Sequence, residues 1–213
     1  MIDNYRDLPL GVYEQICSVE DTEREDIDKQ VAVLSLLSGM PEREILNLPL
    51  PEYREMSGKA EFLRTPPEAL PRVADAYLLG GFKLKPTKDL RKITAAQYID
   101  FQSLAPDGDK RLVELLSVFL VPDGYKYGDG YDVLDVHAAL RAEMNVADAL
   151  AVTAFFLDRY ASLIRSTATS LERMMRSEKD PKRRMLLMLQ IGEMERAWEA
   201  LLTAGAGSAA WTR

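Results

Sequence analysis

The 213-residue sequence has one cysteine, Cys17, and one histidine, His137. A lone cysteine excludes an internal disulfide framework and cannot build a thiolate metal site. A lone histidine leaves most zinc sites and most nucleophile–histidine–acid triads without the side chains they need. Cys17 stands beside Ile16 and close to Val19, a setting typical of a small buried apolar group rather than a nucleophile.

Long apolar runs are also missing. The longest candidate, residues 147–157, is about half of the roughly 20 residues that a membrane span needs, and it contains Asp148. The first seven residues are acidic and polar and lack the apolar core of a signal peptide. We therefore expect a cytoplasmic protein that has no membrane partner.

Positive charge is scarcer than negative charge. The net charge is −7, and residues 1–70 hold 15 Asp and Glu against 7 Lys and Arg. The basic residues cluster between Arg173 and Arg184, where Glu172, Glu178 and Asp180 are interleaved with them. An acidic chain binds a phosphate backbone poorly, so we interpret this cluster as the solvated turn between two helices rather than as a nucleic-acid patch.

Proline and glycine divide the first third of the chain, residues 8–70, into short helices. The clearest is 26–38, which places Ile27, Val31 and Leu34 on one face and is closed by Gly39. Further short helices are expected after Pro41 and over about 52–63.

The hydrophobic period then changes from that of a helix to that of a strand. Around residues 74–86 the apolar residues alternate on both sides of Gly80-Gly81, which predicts one small β-hairpin with a two-residue turn. A lone hairpin is marginal in water, so it must lie against helices or against a partner's strand. No other β element is predicted.

Residues 94–144 are expected to form the central helices. Thr94 and Gln97 fit a capping box at the start of the first helix. A strongly apolar helix follows over 110–121 and ends at Pro122, and Asp132 is expected to cap a third helix that reaches about Met144. Between these two helices lies a loop rich in glycine and tyrosine.

The last third is the most regular and predicts a long αα-hairpin over 145–204. In its first helix the apolar residues follow steps of four and three for about 45 Å, at about 1.5 Å per residue. Pro181 begins the second helix, and residues 205–213 are expected to be a flexible tail. The seam of the first helix comprises Val146, Leu150, Thr153, Leu157, Tyr160, Ile164, Thr167, Leu171 and Met174, and that of the second Leu187, Ile191, Met194, Trp198 and Leu201.

The fold prediction is therefore mostly α: a multi-helix single domain over 1–204 with one β-hairpin and a C-terminal αα-hairpin. The two seams either pack only against each other or leave part of the stripe exposed for a partner helix or a second copy. Packing of the seams against each other is the ordinary expectation. The methionines of this region strengthen the second alternative, because methionine-rich surfaces repack around varied partners, but methionines are equally ordinary filler of a core. The candidate protein-binding residues are Leu157, Ile164, Leu171, Leu187, Met194 and Trp198.

No pattern in the chain predicts catalysis, a cofactor or a metal. His137 lies on the same predicted helix face as Val133, Leu140 and Met144, so we expect it to be packed. Asp123, Asp129 and Asp132 suggest a calcium loop, but Lys126 lies between the acids and no glutamate closes the loop. We therefore expect a protein that is not an enzyme.

Several blocks of sequence point to a family. They are ITAAQYIDFQ (93–102), LLSVFLVP (115–122), YGDGYD (127–132), ADAL (147–150) with FFL (155–157), and the weaker pair LSLLSG (34–39) and LPL (48–50). Together, over roughly residues 8–175, they resemble a group of proteins encoded in the tail gene clusters of long-tailed bacteriophages and prophages. That group is associated with tail assembly chaperones, helical proteins that coat the tape-measure protein before the tail tube polymerises.

The resemblance implies a non-catalytic chaperone in the host cytoplasm whose partner is the tape-measure protein or another tail protein, with self-association along the client. The alternative is a structural virion component, such as a tail-completion or head–tail connector protein. No binding residue can be carried over from the family, because the matching blocks contain no site chemistry.

Overall fold

The computed structural model describes residues 1–65, 67, 70–105, 111–189 and 192, and it is mostly α-helical with one small antiparallel sheet. Two 3-10 turns, Ala60–Arg64 and Leu90–Lys92, join longer elements, and residues 181–189 are helical as well. The elements are α1 Leu10–Glu20, α2 Asp26–Ser38, α3 Glu42–Leu46, α4 Leu50–Lys59, β1 Tyr77–Leu79, β2 Phe82–Pro86, α5 Ala95–Leu104, α6 Leu112–Phe119, β3 Leu120–Pro122, α7 Val133–Glu143 and α8 Val146–Ser177.

Gly39 and Pro41 lie where they were predicted, at the end of α2 and just before α3, and the helix predicted over about 52–63 is α4 followed by the 3-10 turn Ala60–Arg64. Gly39 closes α2 in the left-handed conformation with φ 71°, and its amide donates to the carbonyl of Ser35. Val31 and Leu34 of α2 pack with Ile45 of α3 in a small cluster of their own. Ile27 shares the predicted apolar face, but 65% of it is exposed, so the core does not use it.

The β-hairpin prediction is confirmed. β1 and β2 pair antiparallel with Tyr77 opposite Leu84, and the turn residues Gly80 and Gly81 have φ values of 55° and 80°. Two successive positive φ values are what a tight two-residue hairpin turn requires. The turn lies against α7, where the amide of Gly80 donates to Glu143 Oε2 at 2.9 Å.

The prediction that the hairpin is the only β element is wrong, as is the predicted helix end at residue 121. Helix α6 ends at Phe119, and the next three residues form β3, which adds a third strand beside β2 with Leu84 opposite Pro122. Residues 118–121 are all apolar, so neither a helical nor a strand period can be read from them. Sequence alone could therefore not locate the point where the helix ends and the strand begins. The pairing with β2 selects the strand there.

The capping predictions are confirmed. The Thr94 hydroxyl accepts from the amide of Gln97 while the Gln97 side chain accepts from the amide of Thr94. Asp132 caps α7 by accepting from the amide of Leu134. A further cap, which was not predicted, is Asn145, whose side chain accepts from the amide of Asp148 at the start of α8.

One main hydrophobic core joins α1, the sheet, α5, α6, α7 and the first half of α8. Its centre is aromatic: the rings of Phe119 and Phe156 stack with centroids 4.0 Å apart, and Phe101 meets Tyr160 edge to face at 4.8 Å. The side-chain amide of Gln102 donates to the Tyr160 hydroxyl. These contacts attach α8 to the body of the protein.

Candidate protein-binding surface

Helix α8 has a buried half and a solvated half. The face that packs into the core comprises Val146, Ala149, Val152, Phe156 and Tyr160. Val146 and Tyr160 also belong to the predicted seam, but between them the buried residues each precede a seam residue by one. Leu150, Thr153 and Leu157 therefore lie half-buried at the edge of the face. The offset arises because Phe155, Phe156 and Leu157 are consecutive apolar residues. A stripe through Phe156 and a stripe through Leu157 therefore both satisfy the helical period.

Between Thr167 and Leu189 the described chain is solvated. We call residues 167–189 the C-terminal arm; it comprises the end of α8 and the 181–189 helix, and none of these described residues is buried. Ala168, Leu171 and Met175 are half-buried and recur at steps of three and four, which gives the α8 part of the arm one apolar face. The arm is therefore an amphipathic element that the main core does not cover.

Hydrogen bonds hold the turn between the two helices of the arm. Glu178 Oε1 accepts from the amides of Lys179 and Asp180, at 2.8 and 2.9 Å, and Asp180 Oδ1 accepts from the amide of Lys182 at 3.0 Å. The amide of Asp180, followed by that of Lys179, lowers the pKa of the Glu178 carboxyl. Arg184 Nη2 donates to the carbonyl of Glu178 at 2.6 Å. These bonds place the 181–189 helix directly after α8.

The surface chemistry of the arm differs from that of the rest of the chain. It has six Lys and Arg against three Asp and Glu, in a protein whose net charge is −7. Its most exposed large apolar side chains are Met174, Met185, Leu186, Met188 and Leu189, each about half exposed or more. Flexible thioethers and leucines in water beside a basic rim are typical of a surface that takes up a partner helix.

The six predicted binding residues fall into three groups. Leu171 and Leu187 lie half-buried within the arm, whereas Leu157 lies at the core's edge, beside a small apolar pocket lined by Phe101, Leu116 and Phe156. The side chain of Ile164 lies outside the described residues, and so do Met194 and Trp198. The structure therefore brings Leu171 and Leu187 into the arm and separates Leu157 from them.

The candidate binding residues include only Leu187 of the exposed run 185–189, although the methionines of this region already indicate a surface for a partner. The signal was present, because five consecutive apolar residues after Lys182, Arg183 and Arg184 make a helix turn that is apolar on every side. Steps of three and four select only Leu187 from this run as a seam residue. Residues 190, 191 and 193–204, which complete the predicted αα-hairpin, lie outside the described part of the chain.

His137 is half-buried and hydrogen-bonded, as expected for a packed histidine. Its Nε2 lies 2.9 Å from the Ser117 hydroxyl, and that hydroxyl donates its hydrogen to the carbonyl of Glu114 at 2.7 Å. Nε2–H of His137 must then be the donor to Ser117 Oγ. A general base would have to accept from the serine instead, so this tautomer does not activate Ser117.

A charged cluster surrounds this histidine. Arg141 Nε lies 2.7 Å from Glu14 Oε2, and its Nη2 lies 3.8 Å from Glu114 Oε1. Glu114 Oε2 is buried and has no hydrogen-bond partner among the described residues. The cluster joins α1, α6 and α7, which favours a structural role.

The acids of the glycine loop serve local structure. Asp123 pairs with Lys85 at 2.6 Å and with Lys83 at 3.4 Å, and these contacts hold the pKa of its carboxyl below the ordinary value. Asp132 caps α7, as described above. Within the described residues no group of three His, Cys, Asp or Glu side chains is arranged to hold a metal ion. The absence of a cofactor and of catalysis stays a prediction.

Comparisons with known proteins add no relative. The chain matches no protein-family model, no curated protein and no solved structure. Among the helices in the described part of the chain, none has both the length and the apolar character that crossing a membrane demands.

Proposed function

We propose that this protein is a non-catalytic phage tail assembly chaperone that holds a helical segment of the tape-measure protein on its C-terminal arm. The observation that carries the proposal is the arm itself, a described stretch of 23 residues with exposed methionines and leucines and without a buried residue. The identity of the client rests on the resemblance of residues 8–175 to the tail-cluster proteins.

The chemistry of the arm fits a helical client. Methionine side chains adapt to irregular apolar ridges, and Met174, Met175, Met185 and Met188 supply four of them within two consecutive helical segments. Its basic residues favour a client helix with acidic residues beside its apolar stripe. The acidic remainder of the chain would keep a complex with a long apolar client in solution.

Co-expression with the tape-measure protein encoded in the same gene cluster tests the proposal. We expect the two chains to purify together, and light scattering should give a complex of defined mass larger than either chain alone. A chain that purifies without the tape-measure protein, although both are present in soluble form, would contradict the proposal.

The same proposal predicts where the protein is found at the end of assembly. A chaperone leaves before the tail is complete, so mass spectrometry of purified virions should not detect this chain. Stoichiometric amounts in finished particles would favour the alternative, a tail-completion or head–tail connector protein.

A further inference from the structure

A basic groove lies between the 3-10 turn Leu90–Lys92 and α8, at the base of the arm. One wall carries Lys88 and Arg91, the other carries Arg159, Ser162 and Ser166, and the cavity between them has a volume of about 250 Å³. Leu90 and Leu163 contribute apolar surface to its lining. The groove thus offers cations, hydroxyls and a small apolar patch together.

The cations of the groove are only partly neutralised. Arg91 is held by Asp89, an acid in the lining, through bonds of 2.9 and 3.1 Å, and Lys88 is held by the exposed Asp75 at 2.6 Å. The Arg159 guanidinium lies 5.3 Å from the centre of the Phe155 ring and forms no ion pair with any described residue. An anionic group could therefore enter against Arg159 without displacing an existing carboxylate.

A complementary surface lies elsewhere on the same chain. Residues 20–28, which we call the acidic segment, link α1 to α2 and hold six Asp and Glu against one Arg, all of them exposed. That arginine, Arg24, pairs with Glu42 at 3.4 Å. Within the segment lies Ile27, the residue of the predicted α2 face that the core leaves 65% exposed. The segment thus combines negative charge with one apolar side chain.

We propose that the acidic segment of a second copy docks in the basic groove, with Ile27 against Leu90 and Leu163 and the flanking carboxylates against Arg91 and Arg159. The segment is not seated in the groove of its own chain, because Ile27 and its neighbours are exposed there. Groove and segment are different surfaces, so the contact either repeats along a row of copies or is made twice across a two-fold axis. This contact between copies does not depend on the presence of the tape-measure protein.

Charge reversal tests this pairing. In one variant Arg91→Glu and Arg159→Glu make the groove acidic. In another Glu23→Lys and Glu25→Lys reduce the excess negative charge of the segment from five to one and leave the residues of α2 unchanged. The matched control, Glu52→Lys with Asp135→Lys, makes the same change in net charge as the segment variant at exposed positions outside both surfaces. Circular dichroism verifies that each variant is folded.

Light scattering of the purified chain over a concentration series should show self-association that weakens as salt is raised. Each surface variant should associate about tenfold more weakly or worse, and the control should behave like the unaltered chain. An equimolar mixture of the two variants should form pairs, because the unaltered groove of one can take the unaltered segment of the other. A strict monomer, assembly unaffected by either reversal, or a mixture that fails to assemble would overturn the proposal. Loss of client binding by the groove variant of a monomeric chain would assign the groove to the client instead.

Discussion

The side-chain amide of Gln97 joins the start of α5 to the end of α6: its Nε2 donates to the carbonyl of Val118 at 2.7 Å while its Oε1 accepts from the amide of Thr94 at 3.0 Å. The carbonyls at the end of a helix lack partners within the helix, and α6 ends at Phe119, where the chain turns into β3. Gln97 is buried and supplies the missing donor.

Gln97→Glu should therefore destabilise the protein although it keeps the capping box. A glutamate still accepts from the amide of Thr94, but it loses the donor to Val118 and places a carboxylate oxygen against a carbonyl. We expect a loss of about 2–3 kcal/mol in the free energy of unfolding, measured by urea denaturation. Thr94→Ala, which removes only the cap, should cost about 1 kcal/mol. Equal losses in the two variants would contradict this role of Gln97.

Replacing each of the two neighbouring glycines of the hairpin turn by alanine should lower the free energy of unfolding by a different amount. A Cβ on Gly80 would lie 2.5 Å from the Cβ of Ala139, whereas a Cβ on Gly81 would meet nothing within 4 Å. Gly81→Ala should lower the free energy of unfolding by only the left-handed backbone penalty of about 1–2 kcal/mol. Gly80→Ala should lower it by about 1–3 kcal/mol more, because the new methyl group overlaps Ala139.

A double-mutant cycle isolates the contact between Gly80 and Ala139. Ala139→Gly alone should cost about 1 kcal/mol because glycine is a poor helix former. Combined with Gly80→Ala, it should be less destabilising than the sum of the two single changes, since it removes the overlapping carbon. Additive losses in thermal or urea unfolding would show that α7 moves away from the turn instead.

His137 predicts a pH dependence of stability. Burial lowers the pKa of His137 from its ordinary value of 6.5; Arg141 adds to this effect and Glu114 opposes it. As the pH falls through 6.5 the unfolded chain takes up the proton first, so the folded state loses stability on the acid side. The free energy of unfolding should thus fall between about pH 7.5 and about pH 5.5 by more in the unaltered protein than in His137→Gln. The same fall in both proteins would contradict this.

Local signals in the sequence were sufficient for part of the fold. Gly39, the Gly80-Gly81 pair, and Thr94 with Gln97 each act on their own few residues, and each feature lies where the sequence predicted it. β3 could not be predicted in this way, because its partner strand is more than thirty residues away and its own three residues continue an apolar helix.

The candidate surfaces were predictable only in part. The regular apolar steps over residues 146–174 predicted a long helix, and α8 is such a helix. The steps could not distinguish its first half, which packs against Phe119 and Phe101, from its second half, which lies in solvent. The basic groove escaped sequence analysis because Arg91 and Arg159 are far apart in the chain and meet only through tertiary packing.

The central claim is that the arm binds the client, and one matched pair of variants tests it most directly. Leu186→Asp with Met188→Asp changes two arm residues that are 61% and 59% exposed, and Leu78→Asp with Ile99→Asp changes two body residues that are 77% and 63% exposed. Each variant is co-expressed with the tape-measure protein, and the ratio of the two chains after purification is measured. The arm variant should lose about 100-fold or more in affinity, because burial of each apolar side chain contributes about 1.5–3 kcal/mol, while the body variant should retain the client. Retention of the client by the arm variant, or equal loss by both variants, would contradict the account.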